Sequence, residues 1–522
     1  MLQELPDELL LVFGEFVCQS SLAVLCRVSK DFNELFTPLL YRNIQMDNVP
    51  VDLFKKIFQG LHVRHIRHLG LTSSPSYRYE NERKPTLDGM LSSIQNLKSL
   101  KSFDAGEFFS LRRKEEDHIT NYTRLLQQLA GLGTIRDLSL DISSSHISHG
   151  AVIPRFSNLQ RLSLTLGREF PGYSNTDEAI AEVLLSSPDL THLCLRTDES
   201  YGEDVPSALM CLIKIYEKKR KQRSLSPLKL THLQLENGYL PCPGLHKRHG
   251  YSVDYLSHLT DLTTLRSLGL VDDDVTDMFN ELDHGVDPQV FANAIQLHRL
   301  TIGSYTEEIE QLVELPHLKD TLSEIEISQY YDEEGCEDQI TAVFRTTRPS
   351  VKKLVLGGGV SKCPGEAVNI IKETVLKMPQ LEMFATPITR RSYDMVIQQV
   401  LLKMQNLTSL FLLGEVASII NRRRLSEKNE ESRCAKEAKR IFNINRILVF
   451  RKEFRPLRVV GVGTHIFVCH LLSPHFDEKS QEDVFSVKKA ETLTLAWYKV
   501  VKLSQTETLA FKSIIELSRR CR

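Results

Sequence analysis

One short pattern, LxxLxL, returns along most of this 522-residue chain and leaves few folds open to it. It reads IRHLGL at Ile66–Leu71, IRDLSL at Ile135–Leu140, LQRLSL at Leu159–Leu164, LTHLCL at Leu190–Leu195 and LTHLQL at Leu230–Leu235. It continues as LRSLGL at Leu265–Leu270, LHRLTI at Leu297–Ile302, LSEIEI at Leu322–Ile327, VKKLVL at Val351–Leu356 and LTSLFL at Leu407–Leu412. Looser versions stand at Leu97–Phe103, Leu381–Phe384, Leu457–Val459 and Thr492–Leu495. The alternation at the end of each unit predicts a short strand with one face buried, entered three residues after the leading leucine. The intervening segments carry helical periodicity at Glu182–Leu185, Leu209–Ile215, Ile370–Leu376 and Met395–Met404. Pro188, Pro316 and Pro379 stand just before the following strand, where a helix must stop.

A strand and a helical return repeated at such intervals resembles leucine-rich repeats. No unit can bury its own apolar face, so neighbours stack and share a core. The fold class expected is therefore α/β, an irregular leucine-rich-repeat-like solenoid with parallel strands on a concave face and helices outside. Some thirteen strands about 4.8 Å apart would make an arc of roughly 60 Å, sized for a folded protein rather than a metabolite. Period lengths vary. The asparagine usual after the last strand leucine is mostly missing, as at Gly238, Asp273 and Tyr330. Three stretches read as insertions: Tyr77–Lys84, the basic Glu217–Ser226 and the charged segment of about 421–438. The region after 440 reads as a C-terminal closure with Trp497 and Tyr498 packed in it.

The first 45 residues follow another rule. Leu5 and Pro6 open a helix whose first turn holds Asp7 and Glu8, at the positive end of its dipole. Leu5, Leu9, Val12, Phe13 and Phe16 make one apolar stripe. Ser20 or Ser21 can cap a second helix and Ser29 a third carrying Phe32, Leu35 and Phe36, with Pro38 after it. Three short helices cannot bury so many large apolar side chains among themselves, so part of the stripe must pack on the rest of the chain or on another protein. The opening LPDELL, the centre LAVLCRVSKDFN (Leu22–Asn33) and the close TPLLYRNI (Thr37–Ile44) resemble an F-box, the close being of the form common in fungal F-box proteins.

That resemblance implies residues 1–45 as an F-box and 46–522 as a substrate-binding repeat domain. It implies docking on the Skp adaptor of an SCF ubiquitin ligase and, through the adaptor, on a cullin. The adaptor-binding residues it implies, as contacts or supports, are Leu5, Pro6, Leu9, Leu10, Phe13, Leu25, Val28, Leu39 and Tyr41. The chain would then recruit a protein substrate and perform no catalysis. The alternative is an adaptor-bound scaffold with a non-degradative task.

Composition restricts the function further. A net charge of −2 argues against bulk nucleic acid or an anionic membrane as partner. No run of 18 apolar residues occurs, and the acidic start lacks the basic region of a secretory signal. Ten scattered cysteines without a CxxC pair suit a reducing compartment, cytoplasm or nucleus. His62, His65 and His68 lack a partner at zinc spacing, so no metal or cofactor is expected. Gly357–Gly359 and the glycine pair at 461 and 463 lack phosphate-loop spacing and read as turns after strands. Lys218–Arg223 and Asn421–Arg424 read as solvated basic segments before they read as import signals. Asp272–Asp274 and Asp332–Asp338 read as acidic turns. No hydrolase or deaminase motif is present, which leaves an enzyme the weakest reading.

Overall fold

The computed structural model describes residues 5–17, 19–47, 56–72, 91–105, 116–142, 153–166, 174–197, 208–241, 247, 250–271, 286–303, 307–328, 350–357, 378–387, 404–413, 432–442, 457–462, 465–472, 484–485 and 497–502. They fall into two compact units, Met1–Gln296 and Leu297–Arg522.

The first unit opens with α1 (Asp7–Glu15), α2 (Gln19–Leu25) and α3 (Lys30–Leu40). Pro6 is the residue before α1, and its carbonyl accepts from the amides of Leu9 and Leu10. α2 starts at Gln19, so Ser20 and Ser21 lie in its first turn rather than before it. Ser29 caps α3 as expected, its hydroxyl accepting from the Phe32 amide at 3.1 Å. α3 continues through Pro38 to Leu40. Leu10, Leu22, Phe32 and Phe36 form a core of their own, with Phe32 and Phe36 edge to face at 5.4 Å. α1 crosses α3 at Gly14, where a Cβ would lie 2.6 Å from Leu39 Cδ1.

Eight strands follow, β1 (Asn43–Asp47), β2 (His68–Thr72), β3 (Ser102–Asp104), β4 (Asp137–Ile142), β5 (Arg161–Leu166), β6 (His192–Thr197), β7 (His232–Glu236) and β8 (Ser267–Val271). Each pairs in parallel with the next. The LxxL spacing explains the register. The two residues after each leading leucine both donate their amides to one carbonyl of the preceding repeat. Thr191 and His192 share the Gln160 carbonyl, and Thr231 and His232 share that of Thr191. A threonine at this place adds a hydroxyl donor to the same carbonyl, as at Thr191 (3.0 Å) and Thr231 (3.1 Å). The leading leucine and the strand leucines point inward; Leu190, Leu193 and Leu195 are all buried.

The ladder starts earlier than the repeats in the sequence suggest. Arg67 and His68 donate to the Arg42 carbonyl, and Ile44 and Met46 align with Leu69 and Leu71. Tyr41–Met46 (YRNIQM) is therefore the first unit of the ladder, with Tyr41 in the leading position. The returns are irregular: α4 (Glu116–Leu132), α5 (Ser174–Leu185) and α6 (Ala208–Gln222) alternate with 3₁₀ turns such as Leu61–His65 and Leu262–Thr264.

The basic stretch Glu217–Ser226 is the end of α6 and the turn after it, not an insertion. Glu182 on α5 accepts from Lys219 at 3.0 Å and from Arg223 at 2.8 and 2.9 Å. Lys221 pairs with Glu217, whose carboxylate also meets Tyr251 and His258. Lys219 and Arg223 thus bind one return to the next.

In the second unit β9 (Arg299–Ile302), β10 (Glu324–Ile327), β11 (Lys353–Leu356), β12 (Met383–Pro387), β13 (Ser409–Leu413) and β14 (Val459–Val462) repeat the parallel ladder. β15 (His465–Leu472), β16 (Val484–Phe485) and β17 (Trp497–Lys502) add antiparallel pairings, β14 with β15 and β17 with both β15 and β16. Gly461 lies within β14, where a Cβ would stand 2.4 Å from Phe411 Cδ1, so it serves a close approach and not a turn. Residues 432–442 are helical and bury Cys434, Ala438, Ile441 and Phe442, which makes the end of the charged 421–438 segment part of the packed structure. Residues 421–431, Tyr77–Lys84, the helix expected at Ile370–Leu376, residues 395–403 of the next expected helix, both acidic turns, the strand at Thr492–Leu495 and the side chains of Trp497 and Tyr498 lie outside the described residues.

Candidate functional site

The three-helix module keeps one apolar face inside and leaves the other uncovered. Leu10 and Gly14 face the module's core, so the residues of α1 on the opposite side face outward. Leu9 is 54% exposed and Phe16 85%, with Leu5, Val12 and Phe13 between 41% and 54%. Val24 and Val28 add 61% and 58% from α2 and the turn after it. So many exposed large apolar side chains within residues 5–28 exceed the scattered apolar exposure of an ordinary surface.

The nine adaptor-binding residues implied by the sequence divide accordingly. Leu5, Pro6, Leu9, Phe13 and Val28 are exposed and available to a partner. Leu10 is 3% exposed and belongs to the core. Leu25 and Leu39 pack against that core from its margin. Tyr41 is half-buried, and its ring stacks on His62 at 4.6 Å. Sequence reasoning placed Val12 and Phe16 on the stripe without counting them as contacts, and missed Val24. Their spacing with Leu5 and Leu9 was the available signal for the α1 pair.

The module joins the ladder through Glu15 and Arg42 (2.9 Å), the Tyr41–His62 stack, and Gln19, whose side-chain amide donates to the Leu40 and Asn43 carbonyls. No linker separates α3 from β1; two turn residues do.

The open face of the first ladder, opposite the leucines, is polar. Asp137, Arg161, His192, His232 and Ser267 stand in register, followed by Ser139, Ser163, Cys194, Gln234 and Gly269. His192 and His232 stack at 3.9 Å, each Nδ1 paired with the hydroxyl of the preceding threonine. Burial first, then His232 and Arg161, pushes His192 down to about 4. The unfolded chain takes up this proton near pH 6.5 and the folded chain does not. The stabilisation is thus complete above pH 6.5 and is lost as pH falls from there toward 4. Melting temperature should drop between pH 7 and pH 5 more steeply for the native chain than for His192→Gln; equal slopes would exclude the linkage.

In the second unit the corresponding face changes character. Arg299 pairs with Glu324 and Glu326, and Lys353 with Glu324. Beyond this charged rung, Val355, Ala385, Phe411, Leu413 and Ile466 form a buried apolar cluster. Among the described residues no group of three or more His, Cys, Asp or Glu could hold a metal, and no helix is long and apolar enough to cross a membrane.

No family model and no curated protein matches this chain. Among solved structures it is similar to the yeast Rad7 and Elc1 complex at 15% identity, covering 81% of this chain and 91% of that one, with a TM-score of 0.37. It is also similar to a Bacteroides fragilis protein at 13% identity, covering 62% of this chain and 73% of that one, with a TM-score of 0.25. What the helical face can do follows from its own residues.

Proposed function

We propose that this chain is the substrate-recruiting subunit of an SCF-type ubiquitin ligase in the cytoplasm or nucleus. The α1–α3 module docks a Skp-type adaptor and, through it, the cullin, while the repeat ladder holds a protein substrate. The observation that carries this reading is the exposed stripe of Leu5, Leu9, Val12, Phe13 and Phe16 on a module that retains a core of its own. A helix that served only as a cap for the ladder would turn this stripe inward. Catalysis is then proximity: the substrate's lysine is held near a charged conjugating enzyme, and this chain supplies no nucleophile.

Titration with a purified Skp-type adaptor tests the reading. The native chain should bind. Leu9→Glu/Phe13→Glu, which places two carboxylates in the apolar contact, should bind at least ~100-fold more weakly with an unchanged melting temperature. A native chain that does not bind the adaptor overturns the proposal.

A further inference from the structure

The repeat position after the leading residue carries a cation four times in succession. Arg42, Arg67, Lys101 and Arg136 occupy it in the first four units, and Gln160, Thr191 and Thr231 in the next three. Their backbones stand on consecutive rungs. Arg67 donates its amide to the Arg42 carbonyl, Lys101 to that of Arg67, Arg136 to that of Lys101 and Gln160 to that of Arg136. Parallel strands lie about 4.8 Å apart, so four rungs set the cations in a column of about 14 Å. The fold does not ask for charge here, since threonine serves the same position in later units.

The side chains converge as the backbones do. The charges of Arg42, Arg67 and Lys101 all reach the ring of His68: burial is the largest effect lowering its pKa, Asp137 raises it, and these three cations lower it further. Arg42 is held by Glu15 at 2.9 Å, and Arg136 donates to the Asn158 carbonyl at 2.8 Å. Arg67 and Lys101 are exposed between them, and among the described residues no carboxylate forms a salt bridge with either. Two turns of one build precede them, Ile66 donating to the Val63 carbonyl and Leu100 to that of Leu97. Each turn adds an exposed cation, Arg64 and Lys98. Like charges this close repel, and an anionic partner relieves them.

The class of partner follows from the neighbours. Ser102 and Asp137 directly follow Lys101 and Arg136, and Asp104 stands in register with Ser139, so the face beside the column is polar and carries carboxylates. Single-stranded nucleic acid binds on aromatic platforms and brings a phosphate with every base, which those carboxylates would repel. A polypeptide can set its acidic side chains on the column and neutral ones over Asp104 and Asp137. We infer that Arg42, Arg67, Lys101 and Arg136 form a docking site for a short acidic segment of another protein, with Arg67 and Lys101 as its principal contacts. A column of about 14 Å takes about four residues of extended chain. The inference does not depend on adaptor docking by the helices.

The test titrates the full chain with a labelled oligoglutamate peptide at low and at physiological salt, beside sedimentation of the chain alone. The native chain should bind, more weakly as salt rises. Arg67→Glu/Lys101→Glu should weaken binding about 10-fold or more with an unchanged melting temperature, and Arg67→Gln/Lys101→Gln should fall between. Arg266→Glu/Lys352→Glu makes the same change in net charge at the same repeat position, on exposed cations whose neighbours there include Thr231, Ser323 and Glu382. It should bind like the native chain. No binding by the native chain, or equal loss in the two charge-reversed pairs, overturns the inference. Tighter binding of an oligothymidylate, lost in Arg67→Glu/Lys101→Glu, would make the column a nucleic-acid site and overturn it too. So would self-association lost in that same variant, with a second copy as the occupant.

Discussion

Leu10→Glu should unfold the three-helix module, while Leu9→Glu, one residue away, should leave it folded and weaken only the proposed adaptor binding. Leu10 is 3% exposed and packs with Leu22, Phe32 and Phe36. A carboxylate there must either lose its hydration in an apolar core or take up a proton, and either course costs several kcal/mol. A module of this size has few other contacts to draw on, so the loss is comparable to its whole local stability. Leu9, at 54% exposure, holds a carboxylate in water at almost no cost to the fold. Hydrogen exchange at the amides of residues 7–40 separates the two. Leu10→Glu should expose most of them within the fastest time points, and Leu9→Glu should match the native chain. Equal exchange in the two variants would mean that α1 has no inner and outer face, and the docking surface would lose its basis.

The same pair shows how far the sequence could be read. The apolar spacing marked α1 as a helix with a stripe, but a helix with apolar residues at 5, 9, 10, 11, 12, 13 and 16 has more than one candidate inner face. The choice falls to Gly14, whose missing side chain admits Leu39 and Phe36 and thereby turns Leu10 inward. The strands were legible because their leucines alternate. The first strand was not, since YRNIQM puts tyrosine, isoleucine and methionine where the other units have leucine, and only the shared carbonyl rung at Arg42 exposes the equivalence. Lys219 and Arg223 read as solvent-facing because their acidic partner, Glu182, lies on another return about 40 residues earlier. Pairing at that separation leaves no local trace.

The largest energetic consequence lies in the second unit. The alternation predicts one-faced burial of each strand, and β4 to β7 keep to it at this rung: Ser139, Ser163, Cys194 and Gln234 hold the outward position in register and stay part-exposed. In the second unit the outward position holds Val355, Ala385, Phe411 and Gly461, also in register. Phe411 is 1% exposed, so β13 is buried on both faces, with Leu410 on one and Phe411 on the other. Phe411→Ala should then cost about 3–5 kcal/mol, the range for removing a core phenylalanine, whereas Ser139→Ala in the first ladder should stay within ~0.5 kcal/mol. Urea unfolding read by hydrogen exchange at residues 409–413 and 459–462 measures the first, and the same readout at 137–142 the second. Gly461 supplies an internal control. Its empty side lies under the Phe411 ring, so Gly461→Ala alone forces that ring to move, while Gly461→Ala combined with Phe411→Ala fills part of the space the ring has left. The double variant should therefore be more stable than the sum of the two single losses allows. Additive losses, or a Phe411→Ala cost below ~1 kcal/mol, would show that the ring does not pack on Gly461, and the second core of this unit would have to be given up.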